Sequence, residues 1–301
     1  AVTFHVPYVD YVAVLPEIIL TGVLCVMLVA DLFLPEDRKY LVGTLAGLGF
    51  IGALAPIVVM AVQGHHQRIM FAGAYVSDPF ALLFKAFFLV AGYIVLLMST
   101  TYVEEGDYYE GEFNFLIVCA VLGMVVMASA RDLVTIFVAL ELLSIPGYLL
   151  AGWRKRDLKS NEAMLKYYLL GVLATGVMLY GMSLIYGFTG TTLLSDIGRG
   201  VAGRAGNQPI VALGIFFVLV GFSFKVSAVP FHFWAPDTYE GAPTPVTAFL
   251  SVASKGGGFV ALLELVFIGF LGRHDVWGPL FWGLAAVTMT VGNLTALRQT
   301  N

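Results

Sequence analysis

The sequence is poor in charge. Only 12% of its 301 residues are Asp, Glu, Lys or Arg, which is about half of the share usual in soluble domains. Hydrophobic residues make up 59%, so a soluble fold would lack the charged surface that keeps it in water. The composition therefore excludes disordered, coiled-coil, collagen-like and ordinary soluble globular proteins. It predicts a protein whose solvent is largely lipid.

Basic charge and cysteine are also scarce. The chain has 16 Lys and Arg against 20 Asp and Glu, for a net charge of −4, which provides no basic field to attract nucleic acid. Its two cysteines, Cys25 and Cys119, are fewer than the roughly four thiolates that hold an iron–sulfur cluster. We interpret both as small core residues and predict no cofactor or metal site in this chain.

Charge-poor runs of about 20 residues, the length that crosses about 30 Å of hydrocarbon as a helix, recur along the chain. Their positions are 12–34, 40–63, 79–102, 113–130, 133–153, 163–187, 209–235, 246–271 and 276–297. The runs lack the polar–apolar alternation of barrel strands. The fold class is therefore an all-α polytopic membrane protein with about nine transmembrane helices.

The connections between these runs are mostly short and polar. The densest basic cluster follows the fifth run, with Arg154, Lys155, Arg156 and Lys159. Basic loops stay on the cytoplasmic side, which places the N-terminus on the outer side of the membrane. The glycine-rich stretch from Thr189 to Gln208 is predicted to be the longest loop.

Eight Asp, Glu and Lys residues lie inside the runs, where each costs roughly 2.5–3.5 kcal/mol at a helix centre. They are Glu17, Asp31, Lys85, Glu141, Lys166, Lys225, Lys255 and Glu264. Near the ends of their runs, Glu17 is expected to cap a helix or reach headgroups, and Lys85 and Lys166 are within reach of the surface by snorkelling. Asp31 is interfacial, and Glu264 lies about 180° around its helix from Lys255.

Three of these residues, Glu141, Lys225 and Lys255, lie deep. Residues that break helices follow each of them, namely Pro146, Pro230, Gly256, Gly257 and Gly258. Charges beside broken helices are typical of transporter cores. Burial disfavours a lysine ammonium and a nearby carboxylate favours it, while His232 can relay a proton near neutral pH. These residues indicate proton translocation; a buried structural ion pair, such as Glu141 with Lys225, is the alternative.

The segment 222–249, FSFKVSAVPFHFWAPDTYEGAPTPVTAF, resembles the antiporter-like membrane subunits of respiratory complex I. Its portion YEGAPTP, residues 239–245, is similar to subunit N rather than to subunits L or M. Supporting stretches are LPE at 15–17, LELLS at 140–144, EAMLKYYLLG at 162–171 and YGFTGT at 186–191. The resemblance is collinear over nearly the whole chain.

This resemblance implies a set of proton-translocating residues. The family's glutamate, its three lysines and the histidine after the helix break fall on Glu141, Lys166, Lys225, Lys255 and His232. Glu141 would act as an electrostatic switch on the lysines. Lys225 would be the main proton-holding site, with Lys166 assisting and His232 and Lys255 relaying. The resemblance thus predicts that Lys166 is a residue of the proton pathway, whereas its position alone indicates a snorkelling lysine.

The resemblance also implies an architecture. Residues 1–112 would form a three-helix segment, 113–271 the first inverted five-helix repeat (spans 4–8, with a broken seventh helix), and 272–301 the start of the next segment. The family has about fourteen helices in two such repeats, so we expect the chain to be part of a longer protein.

The implied function is that of a proton-translocating membrane-arm subunit of NADH:quinone oxidoreductase, without redox chemistry of its own. NADH, FMN, iron–sulfur clusters and quinone would belong to other subunits. The partners would be further membrane-arm subunits, including antiporter-like ones, and the lipid bilayer of a bacterial inner membrane. Two alternatives stay open: a subunit of a multisubunit cation/proton antiporter, and a non-conducting membrane scaffold.

Overall fold

The structure, a computed structural model, describes residues 9–35, 38–64, 67–105, 110–203 and 207–299. The chain divides into two compact units. The first comprises Ala1–Leu150 with Thr244–Ala253, and the second comprises Ala151–Pro243 with Ser254–Asn301. The division predicted from the sequence has other boundaries, at residues 112/113 and 271/272, and it stays a prediction.

The first unit is built mainly from long apolar helices. They are α1 (Leu15–Phe33), α2 (Tyr40–Val62), α3 (Pro79–Glu105), α4 (Glu110–Met127), α5 (Leu133–Ala151) and the short α10 (Thr244–Phe249). An antiparallel hairpin, β1 (Arg68–Met70) with β2 (Tyr75–Ser77), connects α2 to α3 and pairs Ile69 with Val76. The sequence did not predict this hairpin, because each strand is only three residues long.

The second unit contains the remaining helices. They are α6 (Leu158–Thr189), α7 (Leu194–Val201), α8 (Pro209–Lys225), α9 (Trp234–Gly241), α11 (Lys255–Glu264) and α12 (His274–Ala296). The stretch from Thr189 to Gln208 is therefore not simply a loop. It includes α7, which buries Leu194, Ile197 and Val201, a spacing that places them on one helix face.

Six helices of the described residues are long and apolar enough to cross a membrane. They are Leu15–Phe33, Tyr40–Val62, Pro79–Val103, Leu133–Ala151, Leu158–Thr189 and Thr244–Gly269. Two shorter apolar helices are Gly111–Met127 and Pro209–Lys225. The mostly helical membrane fold agrees with the sequence prediction, whereas the count of nine spans and the inverted repeat stay predictions.

Helices α6 and α8 approach closely through glycines. A Cβ atom at Gly181 would lie 2.7 Å from the carbonyl oxygen of Gly214, and one at Gly214 would lie 2.9 Å from Cγ1 of Ile185. Neither site can hold a larger residue without separating the helices. Small residues that let helix backbones touch are typical of packing inside membranes.

The helix breaks occur at fewer places than predicted. Helix α8 ends at Lys225 and α9 begins only at Trp234, so the chain is interrupted around Pro230. By contrast, α5 continues through Pro146, because a proline removes one backbone donor while the other turns keep their bonds. Gly256, Gly257 and Gly258 lie in the first turn of α11, and the helix irregularities are the π-helical turns Leu250–Ser254 and Leu265–Gly269.

The cysteines differ in their surroundings. Cys119 is partly buried on α4, but Cys25 is exposed on α1, so the prediction of a core position was wrong for Cys25. In lipid, a small apolar side chain gains little from burial in protein, and an outward position carries no penalty.

Candidate functional site

The five predicted proton-translocating residues are divided between the two units. Glu141 lies on α5 in the first unit, and its side chain is partly buried. Helix α4 packs directly against this part of α5, because a Cβ atom at Gly123 would lie 2.7 Å from the backbone nitrogen of Leu143. Lys166, Lys225, His232 and Lys255 all belong to the second unit.

Lys225 is the last residue of α8 and is buried, with 4% of its surface exposed. Its Nζ lies 3.4 Å from the hydroxyl oxygen of Tyr167 on α6. Helix α11 covers the lysine stem, since a Cβ atom at Gly258 would be 3.0 Å from Cγ of Lys225. The C-terminal end of a helix carries partial negative charge, so this position favours an ammonium group.

The segment between α8 and α9 leaves the helical path but keeps its backbone groups bonded. Ala228 N–H donates to the carbonyl of Ser223 at 2.8 Å. Val229 N–H donates to the hydroxyl oxygen of Thr288 on α12 at 2.9 Å. Such partners allow a broken helix inside a membrane protein, where an unpaired backbone group is costly.

His232 lies in this interrupted segment and is partly exposed. Its ring packs 4.8 Å from the ring of Phe233. Its Nδ1 atom is buried and accepts or donates no hydrogen bond within the described part of the chain.

A set of stacked aromatic residues, which sequence reasoning did not single out, begins at Tyr167 beside the buried lysine. The rings of Tyr167 and Trp234 stack at 4.3 Å with an angle of 11°, and Trp234 Nε1 donates to the carbonyl of Phe224 at 3.0 Å. Tyr239 meets the Trp234 ring edge-on at 6.0 Å. Lys255 Nζ lies 5.4 Å from the centre of the Tyr239 ring, within the range of a cation–π contact.

Lys166 contacts two carboxylates. Its Nζ lies 2.6 Å from Glu162, as the i−4 spacing suggested, and 2.5 Å from Asp237 on α9. Because 42% of the Lys166 side chain is exposed, this cluster contributes little to stability. Asp237 was missed by sequence reasoning, since 71 residues separate it from Lys166.

The α5–α6 connection and the first turn of α6 contact the end of α9. Arg154 donates to the carbonyl oxygens of Gly241 and Ala242 at 3.0 and 3.2 Å, which satisfies groups at the C-terminal end of α9. A Cβ atom at Gly241 would lie 2.4 Å from the carbonyl oxygen of Lys159. This close contact fixes α9, and thus Asp237, relative to α6.

A second group of ionisable residues occupies the first unit. Lys85 is fully buried, and its Nζ lies 2.7 Å from Oε1 of Glu17. The prediction that Lys85 snorkels was wrong, and so was the prediction that Glu17 reaches the headgroups. The two side chains instead form an ion pair inside the helix bundle. Asp31, expected at the interface, lies 3.8 Å from Lys39. Among the described residues, no group of three or more His, Cys, Asp and Glu side chains could hold a metal ion.

Comparison with known proteins identifies a family and several relatives that this chain resembles. Residues 130–301 match the family described as "NADH:quinone oxidoreductase/Mrp antiporter, TM". A NADH-quinone oxidoreductase subunit N from Trichlorobacter lovleyi is 43% identical over 290 residues, which cover 96% of this chain and 59% of that relative. One from Moorella thermoacetica is 45% identical over 284 residues, covering 94% and 59%.

A solved structure shows the same fold. In respiratory complex I from Thermus thermophilus with bound aureothin, one chain is 34% identical with a TM-score of 0.76. The match covers 94% of this chain and 58% of that chain. The present chain thus spans less than two thirds of the length of the relatives that it matches.

Proposed function

Because the chain belongs to the NADH:quinone oxidoreductase/Mrp antiporter family of membrane proteins, we propose that it is the proton-translocating part of a subunit N in a proton-pumping NADH:quinone oxidoreductase. The observation that carries this proposal is Lys225. Its ammonium group lies buried at the end of α8, beside an interrupted helix and the hydroxyl of Tyr167. An intramembrane lysine at a helix break is suited to hold and release a proton.

The proton path of the proposal uses five residues. Lys225 holds the proton, and Glu141 changes its affinity electrostatically. Lys166 assists from the edge of the site, where Glu162 and Asp237 keep it charged. His232 and Lys255 pass the proton on.

The stacked rings of Tyr167 and Trp234 have a separate part in the proposal. The indole ring of Trp234 neither takes up nor releases a proton near neutral pH, so we assign it no step in the transfer. We assign the next transfer step to His232, which follows the break and whose Nδ1 atom is buried. In this proposal, the packed rings exclude water from part of the site, which strengthens the electrostatic interactions among its charged residues.

The assembly in the proposal is the membrane arm of the oxidoreductase. The chain would contact further antiporter-like subunits and lipid in a bacterial inner membrane, with its N-terminus outside and the Arg154–Lys159 loop in the cytoplasm. Residues 1–112 would be the three-helix segment and 113–271 the first inverted repeat. NADH, FMN, iron–sulfur clusters and quinone would be bound by other subunits, whose redox energy drives the proton transfer.

The test is a Lys225→Ala substitution in the full-length protein within the assembled complex. In inverted membrane vesicles, we expect NADH-driven proton pumping and coupled quinone reduction to fall, while NADH oxidation by an artificial acceptor at the flavin persists. Lys159→Ala is the matched control, because that lysine is 71% exposed and pairs at the surface with Glu240. Pumping at the wild-type rate by Lys225→Ala would refute the assigned role.

Two alternatives have their own outcomes. The family description also covers Mrp antiporters, and sodium-dependent proton exchange without NADH would identify a cation/proton antiporter subunit. Normal pumping by a Glu141→Ala, Lys225→Ala double variant would identify a non-conducting scaffold.

A further inference from the structure

Three titratable side chains form a hydrogen-bonded cluster in the first unit, and none of them belongs to the proposed proton path. Lys85 Nζ lies 2.7 Å from Oε1 of Glu17 and 2.6 Å from the hydroxyl oxygen of Tyr75. The Tyr75 hydroxyl lies 2.8 Å from the same Glu17 oxygen. The side chains of Lys85 and Glu17 are 0% and 9% exposed, so both charges are buried in the helix bundle.

The cluster lies at the end of the unit that carries the hairpin. Tyr75 begins β2, Glu17 is the third residue of α1, and Lys85 is six residues past the start of α3, a rise of about 9 Å. Helical side chains tilt towards the N-terminus of their helix, so the Lys85 ammonium points to this end. The cluster is therefore close to one membrane surface.

Two further charged groups act on Lys85 from this end. They are Asp78, whose carboxylate bonds the Ala81 N–H at 2.8 Å at the start of α3, and Arg131, in the α4–α5 connection. Arg131 Nη2 lies 2.9 Å from Oδ2 of Asp78, and the Asp78 side chain is 22% exposed. An arginine stays protonated in proteins, so Arg131 contributes no exchangeable proton.

The two carboxylate oxygens of Glu17 differ in their hydrogen bonds. Its Oε1 atom accepts from both Lys85 and Tyr75, whereas Oε2 is buried and bonds to none of the described residues. Burial raises the pKa of the Tyr75 phenol, and the neighbouring Glu17 carboxylate raises it further, so this hydroxyl keeps its proton. The uncommitted oxygen of Glu17 is then the atom that can accept one more proton.

We propose that Glu17, Tyr75 and Lys85 form a second protonatable site, which exchanges a proton with water at the hairpin end of the first unit. On protonation, an O–H bond forms at Oε2 of Glu17 and the cluster gains one positive charge, which remains on Lys85. Release of the proton to water restores the neutral pair. The site does not depend on the pathway through Lys225.

The test is pH-difference infrared spectroscopy on the full-length protein in lipid, which detects protonated carboxyl groups. We expect a titrating carboxyl band that Glu17→Gln removes. Asp10→Asn is the matched control, because Asp10 also pairs with a cation, Arg68, at 2.7 Å but lies outside the cluster. It should leave the band unchanged.

Two further variants address the partners of Glu17. Removing the ammonium with Lys85→Met should move the titration to higher pH by roughly 1–3 units, the usual effect of losing a close opposite charge. Tyr75→Phe keeps the ring and removes one hydrogen bond, so it should give a smaller shift in the same direction. If a variant fails to fold, the other still tests the assignment.

A different outcome would overturn the proposal. If Glu17→Gln removes no carboxyl band at any pH at which the protein stays folded, Glu17 and Lys85 form a static structural ion pair. The measurement requires no NADH and no pumping, so it is independent of the outcome for Lys225→Ala in vesicles.

Discussion

Replacing Tyr167 with Phe isolates the influence of one hydroxyl group on Lys225. The hydroxyl oxygen lies 3.4 Å from Lys225 Nζ and is one of the groups that hold the ammonium. Phenylalanine keeps the ring, so the stacking on Trp234 at 4.3 Å is preserved. Any change in proton transfer therefore arises from the lost acceptor and not from repacking.

The size of the effect follows from this distance. A hydrogen bond from a charged donor contributes about 1.5–3 kcal/mol. Because 3.4 Å is longer than the usual donor–acceptor distance, we assign the Lys225–Tyr167 hydrogen bond an energy just below this range, about 1.4 kcal/mol. That energy corresponds to about one pH unit. The protonated lysine loses stabilisation while the neutral form does not, so Lys225 releases its proton more readily. The alkaline limb of proton pumping against pH should move about one unit lower.

The measurement is NADH-driven acidification of inverted vesicles over a series of pH values, normalised to NADH oxidation at the flavin. Tyr168→Phe is the matched control: the same substitution one residue further along α6, at a side chain that is 47% exposed. Its profile should superimpose on that of the wild type. If Tyr167→Phe also superimposes, or if both variants shift equally, the hydroxyl has no specific influence on Lys225 and the reasoning is refuted.

Two further predictions concern the elements that hold the site. Gly241→Ala should destabilise the protein by about 1–3 kcal/mol, because the new Cβ atom would meet the carbonyl of Lys159 at 2.4 Å. Thermal unfolding measures this change. Gly187→Ala is the control, because its new Cβ atom has open space and its stability should rise slightly. Thr288→Val should cost about 1–3 kcal/mol by leaving the Val229 N–H without its acceptor, and an unchanged melting temperature would contradict it.

The membrane fold and the deep position of Lys225 could be predicted because both depend on local properties. A run of about 20 apolar residues forms a helix across lipid whatever its neighbours are. A lysine sixteen residues into such a run, after Pro209, cannot reach the surface. The interruption near Pro230 is likewise local, since proline lacks the N–H that continues a helix.

The partners of these charges could not be predicted in the same way. Glu17 and Lys85 are 68 residues apart in the sequence, Lys166 and Asp237 are 71 apart, and Tyr167 and Lys225 are 58 apart. No periodicity connects residues at such separations. The depth of Lys85 alone permits snorkelling to the surface, and only its contact with Glu17 shows that it turns inwards.

The sequence by itself thus determined that the chain is a membrane protein with charges inside its spans, because the transfer of each segment into lipid depends on that segment alone. The tertiary structure decided which of these charges are paired. It joined Lys85 to Glu17 in a buried cluster, placed the hydroxyl of Tyr167 beside Lys225 and brought Asp237 to Lys166. Side-chain contacts between helices depend on how the helices pack, and that packing is a property of the whole fold.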